Sequence, residues 1–208
     1  MTDLRTLRRA GGDALRLLVD LLPPDWDPRS GEEETSIVFA DVSGYSDFVA
    51  ATGDDTALLV LAALDDAVAG ALNGRKGARV VKRLGDGIML AARRAGDGPA
   101  IAAELVAAFE RAAQSHEWPL RLRAGVHRGV VRRQGEDRIG YHVNLAARVA
   151  EAAPPGRTLA SEAALAGVDL AREGLAARPA GRLHAKGVNG PVAVRTVWPD
   201  PAARRAAS

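Results

Sequence analysis

Leu4, Leu7, Leu15, Leu18, Val19 and Leu22 recur largely at spacings of three and four with charges between them, which predicts an amphipathic helix over residues 3–22. Gly11-Gly12 weakens its middle, and Pro23-Pro24 stops it. Two readings of this helix stand: a packing or coiled-coil end, and a signal-transmitting arm. Asp25 to Glu34 reads as a polar linker. Ser36-Ile-Val-Phe-Ala40 is a short buried strand that ends at Asp41, and Gly44 opens a turn. Thr56 to Leu72 carries Ala, Leu and Val at helical spacing, with Asp54 or Asp55 as its cap. Arg79–Leu84 and Ile88–Ala92 are strands joined by Gly85-Asp86-Gly87, a hairpin signal. Pro99 to Ala113 is a second long helix. Leu120 to Val126 alternates as a half-buried strand, and Gly129 to Arg133 continues as a short partner strand. Val143 to Ala152 is a helix ended by Pro154-Pro155-Gly156. Thr158–Ala160 is a brief strand, and Ser161 caps a short helix. Arg182 to Val197 reads as a terminal hairpin turning near Asn189-Gly190, and Pro199 to Ser208 as a frayed tail. This order predicts an α/β or α+β sandwich, a mixed sheet covered by helices.

Composition narrows the chemistry. The chain has 208 residues, 47% of them hydrophobic and only 4% aromatic, so its core is aliphatic. No cysteine is present, which excludes disulfides, Cys-ligated zinc, iron–sulfur clusters and thiol catalysis. No apolar run approaches membrane-spanning length, and Asp3, Arg5, Arg8 and Asp13 interrupt any secretory pattern. The expected location is cytoplasmic. The 28 basic residues are balanced by 26 acidic ones, and no basic stripe with interleaved aromatics appears, so no nucleic-acid partner is expected. Nearly all the cations are Arg. Lys82 is one of three lysines and lies among Val80, Val81 and Leu84.

Three local patterns could carry chemistry. Asp41 ends a strand and Asp86 tips a hairpin. If those strands are neighbours, both carboxylates meet at one edge, where oxygen ligands suit Mg²⁺ or Mn²⁺ held jointly with a phosphate. Taken alone, the two are also ordinary loop and turn residues. Lys82, four residues before Asp86, is either a partly buried cation in need of an acceptor or an outward strand lysine. Asn144 and Arg148 share one helical face, where they suit a ribose and a phosphate or simply meet solvent.

Taken together, the patterns carry a resemblance. Phe39-Ala-Asp41-Val-Ser-Gly44-Tyr-Ser-Asp-Phe48 resembles the first metal-binding motif of class III nucleotidyl cyclases. Lys82-Arg-Leu-Gly85-Asp86-Gly resembles their second, and Asp137-x-x-Gly140-x-x-Val143-Asn144-x-Ala-x-Arg148 their third. Pro154-Pro155-Gly156 through Ser161 and the late Lys186-Gly-Val are also similar. The likeness spans about residues 36 to 197. It implies an α+β fold with a ferredoxin-like βαββαβ core and additional C-terminal strands and helices. It divides the chain into an N-terminal helix and linker (1–34), a catalytic domain (35–198) and a disordered tail (199–208). The N-terminal helix would be where a regulatory partner acts.

The resemblance also implies roles. Asp41 and Asp86, helped by the Val42 carbonyl, would bind two Mg²⁺ or Mn²⁺ ions per site. Lys82 and Asp137 would read the base, Asn144 would orient the ribose, and Arg148 would stabilise charge at the reacting phosphorus. The site would be shared across a homodimer, with two composite sites per dimer. The implied reaction is conversion of ATP to cyclic AMP and pyrophosphate. The competing reading is a weak or inactive cyclase-like nucleotide-binding module. Adenine offers an N6 donor beside an N1 acceptor, which suits Asp137 and Lys82; guanine reverses that edge. The Gly125–Asp137 stretch is shorter than in many members, which implies a short dimerisation hairpin. Tyr141 and His142 stand where an acidic and a small residue are common. His142 and His127 fall near the expected site, and surface or packing histidines are the simpler reading of both, against a catalytic role.

Overall fold

The structure, a computed structural model, describes residues 31–184, 187–188, 190–200 and 202–203. The helix expected over 3–22, most of the linker, Lys186 and Asn189 lie outside the described residues.

Eight strands form one sheet in the order β2-β3-β1-β4-β6-β8-β7, with β5 paired to β4. The first half is β1 (Glu32–Ser43), α1 (Tyr45–Thr52), α2 (Asp54–Leu72), β2 (Ala78–Leu84), β3 (Gly87–Ala92), α3 (Asp97–Ser115) and β4 (Arg121–Gln134). Its neighbouring strands are all antiparallel, in the spatial order β2-β3-β1-β4. That is the ferredoxin-like βαββαβ core. The second half adds β5 (Asp137–Ile139), α4 (Tyr141–Glu151), β6 (Thr158–Ser161), α5 (Glu162–Leu165), β7 (Leu175–Leu183) and β8 (Val192–Pro199). β6 runs parallel to β4 over three register pairs, and β8 and β7 follow antiparallel.

Period-two alternation divides the sheet faces. Val38, Ala40 and Val42 of β1 join Ile88 and Leu90 of β3 and Leu122, Ala124 and Val126 of β4 in the main core, under α2 and α3. On the opposite face Ile37, Met89, Ala91 and Val131 pack against Val143 and Ala146 of α4. Leu145 and Val149 of α4 extend that layer over Leu159 of β6 and Val194 of β8.

Several boundaries differ from the sequence reading. β1 starts at Glu32, where Glu32–Glu34 pair with Arg132–Val130 of β4, and it runs past Asp41 to Ser43. Residues Gly129 to Arg133 are not a separate partner strand. They continue β4, and the strand that folds back on them is β5. The cap of α2 is Gly53, with no side-chain hydrogen bond from Asp54 or Asp55. α1 was not expected; it follows Gly44, whose φ of 85° a side chain would strain. β7 begins at Leu175, seven residues before the expected hairpin arm. Ser161 does cap α5, its hydroxyl accepting from the Ala164 N–H at 3.2 Å.

Candidate active site

Asp41 and Asp86 come together at one end of the sheet. Asp41 pairs in register with Gly87, so the hairpin tip that carries Asp86 lies beside it. Burial raises the Asp86 carboxyl, and the negative charge of Asp41 raises it further, against a backbone hydrogen bond and the charge of Arg123. Two mutually repelling carboxylates form a hard-oxygen donor pair that suits a divalent cation of the Mg²⁺ or Mn²⁺ kind. Among the described residues no group of three or more His, Cys, Asp or Glu is placed to hold a metal, so further ligands must be backbone, water or substrate oxygens. The β1–β3 register ends at Asp41, while the β1–β4 register continues to Ser43. Beyond Asp41, therefore, no β3 residue lies beside β1, and the Val42 backbone stands next to that opening.

Arg123 is a residue the sequence reading missed. It is Asp41's register partner on β4, and its guanidinium donates to Asp41 Oδ2 from Nη2 at 3.0 Å and from Nε at 3.3 Å. Its third contact donates to the Glu151 carbonyl, at the end of α4, at 3.3 Å. A fixed cation beside paired acids is a ready phosphate partner. Its only sequence signal was its place in an alternating strand, at a distance of 82 residues from Asp41.

Lys82 and Asp137 also meet. Lys82 Nζ donates to Asp137 Oδ2 at 2.7 Å, joining β2 to β5. A register shift between Val80 and Lys82 sets Lys82 opposite Met89, on the face that carries Phe39 and, two residues on, Asp41. The Lys82 hydrogen bond, with one from the Arg138 N–H, holds the Asp137 carboxyl below the usual carboxylate range. Both side chains keep substantial exposure, 41% and 37%, so a ligand can reach them.

Asn144 and Arg148 lie on the outer face of α4, whose inner face buries Val143, Leu145, Ala146, Val149 and Ala150. Arg148 donates to Glu151 at 2.5 Å, an ion pair about half exposed on both sides. α4 sits close because Gly125 of β4 has no side chain; a Cβ there would overlap the backbone of Val149 and Ala150. His127 and His142 are neither surface residues nor isolated. His127 is 4% exposed, and its Nε2 lies 2.8 Å from His142 Nδ1.

The family question is answered by comparison. A model described as "Adenylate and Guanylate cyclase catalytic domain" matches residues 28–198, and the chain belongs to that family. Solved structures agree on the fold. The adenylyl cyclase CyaB from P. aeruginosa aligns with a TM-score of 0.66 at 19% identity, over 80% of this chain and 94% of that one. An adenylate cyclase from Trypanosoma brucei, in its monomeric state, aligns with a TM-score of 0.68 at 22% identity, over 86% and 92%. The guanylate cyclase domain of RhGC from Catenaria anguillulae, in complex with GTP, aligns with a TM-score of 0.65 at 16% identity, over 81% and 98%. No curated protein sequence matches the chain. Among the described residues no helix is long and apolar enough to cross a membrane.

Proposed function

We propose that this domain is an adenylyl cyclase, converting ATP to 3′,5′-cyclic AMP and pyrophosphate at composite sites of a homodimer. The observation that carries the choice of base is the Lys82–Asp137 pair, an ammonium and a carboxylate 2.7 Å apart and open to a ligand. Asp137 accepts from the adenine N6 amino group, and Lys82 donates to N1. Guanine presents the reverse order of donor and acceptor, and each mismatch leaves a polar group unpaired.

The remaining roles follow the chemistry. The ribose 3′-oxygen attacks the α-phosphorus, the bond to the bridging oxygen breaks, and pyrophosphate leaves. Asp41 and Asp86, with the Val42 carbonyl, would hold Mg²⁺ or Mn²⁺, two per site, and such cations would lower the pKa of the 3′-hydroxyl and neutralise triphosphate charge. Arg123, already beside Asp41, meets a phosphate oxygen. Asn144 orients the ribose. Arg148 exchanges its exposed Glu151 partner for the phosphoryl oxygens as charge grows on them. In the dimer, one chain's Asp41 and Asp86 face the other chain's Lys82, Asp137, Asn144 and Arg148.

Product analysis of the purified protein given ATP or GTP, with Mn²⁺ or Mg²⁺, tests the reading. Cyclic AMP from ATP, lost in a folded Asp86→Ala protein or in excess chelator, is the expected result. Cyclic GMP from GTP, with no cyclic AMP from ATP, overturns the base assignment. Nucleotide binding without turnover makes the domain an inactive binding module.

A further inference from the structure

α4 carries Asn144 and Arg148, and its start, two residues after β5, has no side-chain cap. Its N-cap is Gly140, with φ of 126°. The apolar inner face holds it down, but apolar contact is not directional. A directional side-chain tie comes at the second residue of the helix. His142 Nδ1 lies 2.8 Å from His127 Nε2, and the two rings stack at 5.1 Å with 14° between planes. His127 Nδ1 in turn lies 2.7 Å from the hydroxyl of Ser161, which is fully buried and caps α5.

The protons in this chain can be counted. Ser161 Oγ already accepts from Ala164, so its own hydrogen is free to donate to His127 Nδ1. In that order His127 carries its proton on Nε2 and donates to His142 Nδ1; in the reverse order His142 Nδ1–H donates to His127 Nε2 and His127 Nδ1–H to Ser161 Oγ, and either order ties the two rings together. Ser161 Oγ, both His127 nitrogens and His142 Nδ1 are thereby paired with both rings neutral. Desolvation keeps both imidazoles from charging, His127 above all, and His142 adds to the effect on His127. Tyr141 meets His142 edge-on, and Arg138 of β5 is bound to Glu33 of β1. The arrangement is built for His142: a Cβ at position 129 of β4 would overlap its ring, and residue 129 is glycine.

We propose that His142 is a positioning residue for cyclisation, its hydrogen bond to His127 holding the first turn of α4 on the sheet and so setting where Asn144 and Arg148 stand. This rests on the cyclase reading. Arg148 lies about 9 Å along the helix axis from His142. A displacement of about 1 Å at a reacting group costs roughly a hundredfold in rate.

The test compares His142→Phe, which keeps a ring without nitrogen, with His142→Gln, which keeps a polar partner for His127. Two measurements are made: kcat and KM with ATP and Mn²⁺, and amide hydrogen exchange along α4. His142→Phe is expected to lower kcat at least about tenfold, leave KM within about twofold, and speed exchange in the first turn of α4. His142→Gln recovers most of both losses. A folded His142→Phe protein with unchanged kcat and exchange overturns the proposal, as does a loss that Gln does not recover. If His142→Phe fails to fold, Gln is compared with the shorter His142→Asn under the same criteria. If wild type has no turnover, the cyclase reading fails, and the exchange comparison alone decides whether His142 holds α4.

Discussion

Lys82 reaches Asp137 because β2 is irregular: the shift between Val80 and Lys82 brings the lysine to the α4 side of the sheet. Replacing both residues by Ala removes one donor and one acceptor for the base. Discrimination between ATP and GTP is then expected to fall by about ten- to a hundredfold, read as the ratio of kcat/KM values. Unchanged selectivity in the double variant counts against both assignments. Asp41, Asp86, Lys82, Asp137, Asn144 and Arg148 stand out in the sequence through residue identity at fixed local spacing, and the structure brings Asp41 to Asp86 and Lys82 to Asp137. Arg123 and the Ser161–His127–His142 chain do not stand out, because each depends on the register of strands distant in sequence. His127 also predicts a pH effect. Burial lowers it to about 4, whereas an unfolded chain protonates it near 6.5. The unfolded state therefore gains a proton first, and the stability present above pH 6.5 drains away as pH falls towards 4, by on the order of 3 kcal/mol. Carboxylates titrate in part of that window, so the check is a difference: urea melts of wild type and His127→Phe at several pH values should show the slope between 6.5 and 4 shrinking in the variant.

α4 and the ion network behind α3 show two ways in which elements are fixed. The helix lies on β4 through the absence of side chains at Gly125 and Gly129. Gly125→Ala drives a methyl into the backbone of α4 and is expected to cost at least about 1–3 kcal/mol, seen as a lower urea midpoint, with activity lost alongside. A protein with unchanged midpoint and activity would refute that packing. Behind α3, Asp97 is only 2% exposed and accepts from Arg94 at 2.9 and 2.5 Å, while Arg94 also binds Glu173. Asp97→Ala should destabilise by roughly 1–3 kcal/mol and leave kcat nearly unchanged, since the network lies away from the proposed site. Strongly periodic elements such as α2 and α3 were readable from pattern. The short α1, between Gly44 and Gly53, offers too few residues for a period. β7 hides its strand character behind Ala176, Ala177, Pro179 and Gly181, which an edge strand tolerates. The long β4 was split in reading because Gly129 looked like a break, whereas it is clearance for His142.

For the whole molecule, the proposed shared site makes a complementation prediction. Asp41→Ala and Arg148→Ala damage opposite half-sites, so a mixed dimer holds one doubly damaged and one intact site. Mixing the two inactive proteins should restore up to about half of wild-type activity per mixed dimer, and dilution should lower specific activity. A demonstrated mixed dimer as inactive as its parents would sink the shared-site arrangement. The sheet has a further property at this scale. Within the sheet, the ferredoxin-like half and the β6-β8-β7 half are joined by three register pairs, Ala124–Thr158, Gly125–Leu159 and Val126–Ala160, while on the α3 side Phe109 shares a core with Leu165, Leu175 and Val197 and Arg94 binds Glu173. Across that seam lies α4, with Val143 and Ala146 over the first half and Leu145 and Val149 over the second. The helix that presents Asn144 and Arg148 is thus also the rivet on its own side of the sheet, as α3 is on the other. Under a stretching force applied between the two halves, the seam should open as one event, and the proposed catalytic groups should lose their footing at the same moment. One eleven-residue helix would then carry both part of the seam's mechanical strength and the proposed chemistry.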